Sequence, residues 1–426
     1  MPGYKETEVG EIPEEWDVLS LSELCKEICD GTHFTPEYKK EGIPFYSVEN
    51  ITANDFTNVK YISETEHAKL IKRCKPEFGD ILMTRITAGI IGDTRIIDWD
   101  VNASIYVSLA LLKPNERINS NYLYRYTQSA TFVKHVEKRA LINATPKKIN
   151  MQDIGLIPIP VPRANDEQKA IASSLTDVDN FVVSLEKLIA KKQDIKTATM
   201  QQLLTGKKRL PGFGERKGYK QTELGKIPAD WDIVHLRSCL DSNPKYGINA
   251  PAVTLEANLP TYIRITDISE DGRFIPNPAV GVRHPESSNY CLESGDLVFA
   301  RTGASVGKCY KYRENDGLLV YAGFLIKISP DDSKLLPGFL FQYVKTNKYW
   351  QWVILMSMRS GQPGINGNEY GKLPISLPKT DEQEAICQIL EDMDAEIVSL
   401  TDRLSKTKSI KQGMMQELLT GRTRLV

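Results

Sequence analysis

Along two long stretches of the chain, apolar residues recur at alternating steps of four and three. They are Ile171, Leu175, Val178, Val182, Leu185 and Ile189 in the first, and Ile386, Leu390, Met393, Ile397, Leu400 and Leu404 in the second. This is a heptad seam, and it predicts two long helices in a coiled coil. Asn165-x-x-Gln168 and Thr380-x-x-Gln383 read as capping boxes that open the helices. Gly206 and Gly421 stand where each would stop in the left-handed conformation. As one helix, Asp166 to Thr205 would be about 60 Å long. The seams lose register at Lys192 and Thr407, so the distal half of each helix is expected to pack differently. Elsewhere short Val/Ile/Tyr/Phe runs are punctuated by Gly, Pro, Asn and Asp, as in Gly79-Asp80-Ile81-Leu82-Met83-Thr84-Arg85 and Gly295-Asp296-Leu297-Val298-Phe299-Ala300-Arg301. That pattern predicts strand-rich, mixed α/β domains. Each ends in a proline-rich stretch, Ile157 to Pro162 and Leu373 to Pro378, which cannot lie inside a helix and marks an extended exit.

The pattern is written twice. Tyr4-Lys5-Glu6-Thr7 through Ile12-Pro13-Glu14-Glu15-Trp16-Asp17 recurs as Tyr219-Lys220-Gln221-Thr222 through Ile227-Pro228-Ala229-Asp230-Trp231-Asp232. Asp166-Glu167-Gln168 recurs at Asp381-Glu382-Gln383, and Leu203-Leu204-Thr205-Gly206 at Leu418-Leu419-Thr420-Gly421, all at an offset of 215. Two copies are too few for a solenoid and imply a pseudo-dimer within one polypeptide. The expected domains are 1–163, a helix and linker over 164–210, a second globular domain over 211–378 and a second helix over 379–426. Because helix one leads away from domain one and helix two begins at domain two, seams that pair along their length must be antiparallel. The expected class is α+β: two strand-rich mixed α/β domains separated by a long antiparallel two-helix coiled coil, with a pseudo-twofold internal repeat.

Composition alters this picture little. The 426 residues carry 54 Lys and Arg against 55 Asp and Glu, with 41% hydrophobic residues, which is ordinary for a globular chain and excludes a collagen-like or disordered one. Such a balance gives no global support for nucleic-acid binding, so any positive surface must be local. Two local segments qualify: Lys134, Lys138, Arg139, Lys147 and Lys148 within 134–150, and Arg301, Lys308, Lys311 and Arg313 with no acid among them. No secretory signal and no bilayer-spanning stretch is seen, so a cytoplasmic protein with reduced, structural cysteines is expected.

Catalytic motifs are missing. Gly303-Ala304-Ser305-Val306-Gly307-Lys308-Cys309 resembles a phosphate loop, but it has three residues between its glycines instead of four and a Cys where Ser or Thr should hold Mg²⁺. Asn243-Pro244-Lys245-Tyr246 lacks the second proline of an amino-methyltransferase signature. The five histidines form no HExxH or i, i+4 pair, and there is no GxSxG elbow. Catalysis by this chain, and a cofactor or metal bound to it, are not expected.

Taken together, Ile12 to Trp16 and Ile227 to Trp231, Asp30-Gly31-Thr32-His33-Phe34-Thr35-Pro36, Gly79-Asp80-Ile81-Leu82, the proline exits into Glu167-Gln168 and Glu382-Gln383, and the closing Leu-Leu-Thr-Gly resemble the specificity subunit of type I DNA restriction-modification systems. The resemblance implies two target recognition domains, each reading half of a split target in double-stranded DNA, with the helices as spacer. It also implies partners: two modification subunits that methylate adenine with S-adenosylmethionine, and restriction subunits that use ATP and Mg²⁺. The DNA-binding residues expected by match to family loops are Thr32, His33, Arg85, Thr145, Lys147 and Lys148 in the first domain, and Lys245, Tyr246, Arg301, Thr302, Arg359, Ser360 and Gln362 in the second. Asp30-Gly31 could be no more than a turn, and Asp30 to His33 has no sequence copy near Pro244 to Gly247, so unlike half-sites are expected. The competing reading is a coiled-coil scaffold joining two protein-binding domains.

Overall fold

A computed structural model describes residues 3–214, 218–358 and 362–425. The chain forms two compact units, Met1–Lys187 with Asp402–Val426, and Leu188–Thr401. Each unit therefore contains one globular domain and portions of both long helices.

In the first unit the elements used below are β1 (Trp16–Ser20), β2 (Cys25–Asp30), β3 (Ile81–Thr84), β4 (Ile86–Thr87), β5 (Thr94–Ile96), β6 (Leu109–Pro114), α1 (Ser120–Thr127), α2 (Ala130–Arg139), β7 (Lys147–Lys148), β8 (Pro158–Pro162) and α3 (Asn165–Leu203). The central antiparallel sheet has the order β2-β6-β3-β5. Its middle strands are buried on both faces, which is why they read as unbroken apolar runs. Ile81 and Met83 point to a core shared with Trp16, Tyr122, Ile171 and Leu175, whereas Leu82 and Leu111 point to a second core with Tyr46 and Ile105.

The second unit repeats the plan with β9 (Asp232–His235), β10 (Lys245–Tyr246), β11 (Leu297–Ala300), β12 (Cys309–Lys311), β13 (Leu325–Ile328), α4 (Pro337–Tyr343), α5 (Asn347–Ser357), β14 (Pro374–Leu377) and α6 (Thr380–Leu418). Its sheet order is β10-β13-β11-β12. Leu297 and Phe299 face the core that holds Trp231, Ile386 and Leu390, and Val298 and Ala300 face another. The proline exits are strands, β8 against β1 and β14 against β9.

The two long helices are antiparallel within each unit. In the first, Lys408 pairs with Glu186 at 2.7 Å and Lys411 with Asp179 at 2.6 Å, so partner numbers fall as helix numbers rise. In the second, Lys192 pairs with Glu396 at 2.6 Å and Lys196 with Asp394 at 2.5 Å. The opening seam positions Ile171, Leu175, Ile386 and Leu390 are fully buried in the globular cores. At about 1.5–3 kcal/mol for burying each such side chain, they anchor helix to domain. The distal ends do pack differently: Leu418 and Leu419 join the first core, and Met200, Leu203 and Leu204 the second.

Two expectations are corrected. Gln168 and Gln383 do not cap their helices. The Gln168 amide donates to Pro162 O (2.9 Å) and Arg117 O (3.2 Å) and accepts from Asn119 N (2.7 Å). Gln383 donates to Lys334 O (2.8 Å) and Pro378 O (3.0 Å) and accepts from Leu336 N (2.8 Å). Burial in the helix–domain junction gives each glutamine partners on two other segments, which outcompete a local turn. The cysteines are not all thiols: Cys29 and Cys74 are joined in a disulfide, with Cα atoms 6.0 Å apart, bridging β2 to the segment after the helix Glu64–Leu70.

Candidate nucleic-acid interface

The recurring motifs meet at the helix–domain junctions. Gly206 and Gly421 have φ of +67° and +70°, as expected of left-handed helix stops. A Cβ on Gly206 would lie 2.3 Å from Pro228, and one on Gly421 2.5 Å from Pro13, so Ile-Pro-x-x-Trp packs directly on Leu-Leu-Thr-Gly. Glu382 accepts from Trp231 Nε1 (3.0 Å) and pairs with Arg209 (2.5 Å), which also holds Asp230 at 2.8 Å. Glu167 pairs with Arg424, which reaches Glu15 at 3.1 Å. The repeated residues thus secure the scaffold, and diversity lies elsewhere.

It lies at one end of each central sheet. In the first unit the end of β2, the end of β3 and the start of β6 are side by side, with Asp30 opposite Ala110 and Thr84 opposite Leu109. Gly31 is required there, because a Cβ would sit 1.9 Å from Ile105 O. Thr32 is buried and bridged to Tyr106. Asp30 is more than a turn residue: its carboxylate gathers Arg85 Nη1 (2.5 Å), Arg73 Nη2 (2.5 Å) and His33 Nε2 (2.9 Å). Arg85 is only 6% exposed, and burial lowers its pKa, whereas His33 and Arg73 are 58% and 59% exposed. Arg85 therefore braces the loop from inside, and Arg73, absent from the expected set, presents the outward guanidinium. Its only trace in the sequence is the basic run Lys72-Arg73-Cys74-Lys75.

Lys147 and Lys148 form β7, paired with Thr87 and Ile86 of β4, and the Lys147 ammonium donates to Gly89 O at 3.1 Å. Thr145 is exposed just before them. This hairpin is fastened by Ile149 N donating to Arg85 O at 2.9 Å. The second unit uses the same fastening, Ile365 N to Arg301 O at 2.9 Å.

Strand register makes Tyr246 the counterpart of Asp30 and Gly247 the counterpart of Gly31. Leu82 pairs with Leu111, which pairs with Cys29; Val298 pairs with Lys327, which pairs with Lys245. A Cβ on Gly247 would lie 2.2 Å from Ala322 O. In place of the buried ion pair, the Arg301 guanidinium lies 5.0 Å from the centre of the Tyr246 ring. Tyr246 Oη accepts from Gly367 N at 3.1 Å, and Lys245 is exposed beside it. Thr302 is bridged to Gly364, and the Gln362 amide lies against Gly303. Arg359 and Ser360 lie outside the described residues. The structure thus brings His33, Arg85 and Thr32 together in one unit and Tyr246, Arg301, Thr302 and Gln362 in the other.

Among the described residues, no group of three or more His, Cys, Asp or Glu side chains is placed to hold a metal ion, and no helix is long and apolar enough to cross a membrane.

The sequence profile of the type I restriction modification DNA specificity domain matches residues 13–197 and 242–408, most of the chain. The chain belongs to this family. The chain is 27% identical to the putative type I restriction enzyme MjaX specificity subunit of Methanocaldococcus jannaschii, over 99% of this chain and 97% of that one. It is 24% identical to the MjaVIII specificity subunit of the same organism, over 99% and 96%. Among solved structures, the type I restriction-modification S subunit from M. genitalium has a TM-score of 0.56 at 17% identity, covering 95% of this chain and 96% of that chain. A chain from a study of complex assembly and conformational transition of the type I system has a TM-score of 0.59 at 17% identity, over 97% and 99%. These likenesses are of fold: two mixed α/β domains and two long antiparallel helices, as the repeat predicts.

Proposed function

We propose that this chain is the DNA-reading, non-catalytic subunit of a type I restriction-modification complex. Each sheet-end loop cluster reads one half of a bipartite duplex target, and the paired helices set the unread gap and dock the modification subunits. The observation that carries this reading is the contrast between two kinds of residue. The Glu–Arg pair at the junction recurs in both units, Arg424 with Glu167 and Arg209 with Glu382, although only Trp231 adds an indole hydrogen bond to it, whereas the sheet-end positions carry different chemistry on the same backbone, Asp30 with Arg85 against Tyr246 with Arg301. Unlike side chains on like loops are what two readers of unlike half-sites need.

In this reading Lys147, Lys148, Arg73 and Lys245 hold phosphates, while His33, Arg301, Thr302 and Gln362 reach base edges. Thr145, at the hairpin beside Lys147, and Arg359 and Ser360 are assigned to the same DNA-contacting set. Methylation with S-adenosylmethionine belongs to two modification subunits, and ATP- and Mg²⁺-dependent cleavage to restriction subunits, in the cytoplasm.

The test is domain exchange in the assembled methyltransferase complex. With residues 1–163 replaced by the first domain of another family member, mapping of methylated adenines should show one half-site changed and the other retained. A change in both halves, or no sequence preference in the parent complex, would refute it.

A further inference from the structure

In the second unit a cavity of about 260 Å³ opens between α3, α4, α5 and the turn that leads into β12. Lysines from three segments line it: Lys196 of α3, Lys308 just before β12, and Lys345 just past α4. Two of them are neutralised. Lys196 pairs with Asp394 at 2.5 Å and Lys308 with Glu270 at 2.6 Å. Among the described residues, the Lys345 ammonium makes no ion pair and no hydrogen bond, although the charges of Asp394 and Asp271 reach it. It stands 3.9 Å from the centre of the Phe341 ring, with Trp350 on the same wall.

A partly buried ammonium without an ion-pair partner is poorly compensated for the water it has lost. A ring face returns about 0.5–2 kcal/mol, and it satisfies none of the three N–H donors. Burial, and then the charge of Lys196, push the Lys345 amine down to about 8, while Asp394, Cys309 and Asp271 oppose the shift. Three lysines and one carboxylate, Glu270, thus line the cavity, and Lys345 is the one of the three lysines without an ion pair among the described residues.

The first unit does not repeat it. Ser129 and Thr346 cap equivalent helices, α2 and α5, which makes Gln128 the counterpart of Lys345. Asp93 O accepts from Thr84 N as Lys308 O accepts from Ala300 N, which makes Asp93 the counterpart of Lys308. Only the third lysine has a basic counterpart, Lys411, at the repeat offset of 215. The shared fold does not require these charges, since it stands without two of them.

We propose that this cavity binds a phosphate-class oxyanion, held by Lys345 over Phe341 with Lys196 and Lys308 at its flanks. Lys308 hydrogen-bonds Ala300, one residue before Arg301, so the anion can come from a duplex backbone lying along that sheet end or from a free phosphate compound. The site does not depend on the reading role.

The test has two arms. The full chain is titrated with inorganic phosphate against chloride at constant ionic strength and followed by thermal melting. In parallel, duplex binding by the complex with its modification subunits is measured against salt. Saturable stabilisation is expected in the parent, unchanged in K345R and weakened roughly ten- to a hundred-fold in K345Q, the loss of a charge-assisted hydrogen bond. If the anion is a duplex phosphate, K345Q lowers the salt slope of duplex binding by about one. An unchanged slope alongside the phosphate effect identifies a free oxyanion. A parent chain with no saturable response to phosphate and a slope that K345Q leaves unaltered overturns the proposal, as does a K345Q chain that responds to phosphate like the parent.

Discussion

At the scale of single residues, the same arginine does two jobs. Arg85 and Arg301 follow matching strands and accept the same backbone hydrogen bond, but Arg85 is buried against Asp30 while Arg301 lies over the Tyr246 ring. Removing one member of a buried ion pair strands the other charge, so Asp30→Asn should cost about 3–5 kcal/mol. Tyr246→Ala should cost about 1 kcal/mol, because Arg301 keeps its water. Urea unfolding midpoints compare the two, and equal costs would mean that Asp30 is not a brace. In binding the order should reverse: Arg301→Ala should relax specificity in one half-site by about 1–3 kcal/mol. Sequence motifs marked both arginines but could not separate them. The distinction depends on Asp30, 55 residues from Arg85, standing at the register position that Tyr246 fills in the other copy. Lys345 adds a test with a definite sign. Its folded-state pKa is about 8, below the ordinary 10.5, so between those values the unfolded chain binds more protons and this residue makes stability rise with pH. The melting difference between K345M and the parent should therefore shrink as pH rises above 8, and a constant difference would show that Lys345 is not desolvated.

At the scale of elements, the long helices, their glycine stops and the proline strands were legible because each follows from local spacing or backbone restriction. The starts at Asn165 and Thr380 were legible too, but the role of the glutamines was not. Asn165-x-x-Gln168 has the form of a capping box, but Gln168 is held by Asn119 and Arg117 from the loop before α1, about fifty residues upstream, and Gln383 by Lys334 and Leu336. Periodicity has no access to contacts of that separation. The two accounts differ in outcome. Gln383→Ala should leave two carbonyls and one N–H without partners and cost about 2–4 kcal/mol, whereas Asn165→Ala should fall well short of the ~1 kcal/mol of a lost cap. The reverse order in thermal melts would restore the capping box. The candidate loops were legible only where a motif ran along the chain; Arg73, tied to β2 through Asp30 and the Cys29–Cys74 bridge, was not.

At the scale of the whole molecule, 54 basic against 55 acidic residues leaves little net attraction for a duplex, so in the proposed reading tight binding depends on charge supplied by partners. The chain alone should bind its target weakly and lose that binding at modest salt, while the complex with modification subunits holds it. In the proposed reading the chain contributes spacing as well as base contacts, and the spacing can be altered without touching either reader. Residues 185–191 and 400–406 are equivalent heptads, one in each long helix, at the repeat offset of 215. Their joint removal keeps the seam in register and takes out seven residues from each helix, at about 1.5 Å of rise per residue. Divided by about 3.4 Å per base pair, the unread gap should shorten by at most about 3 base pairs. Removal from only one helix would put the seams out of step and should abolish assembly instead. Mapping methylated adenines in the paired deletion decides the matter. A shorter gap with unchanged half-site bases identifies the helices as the ruler, and an unchanged gap, or altered bases at constant spacing, would place that function in the globular domains.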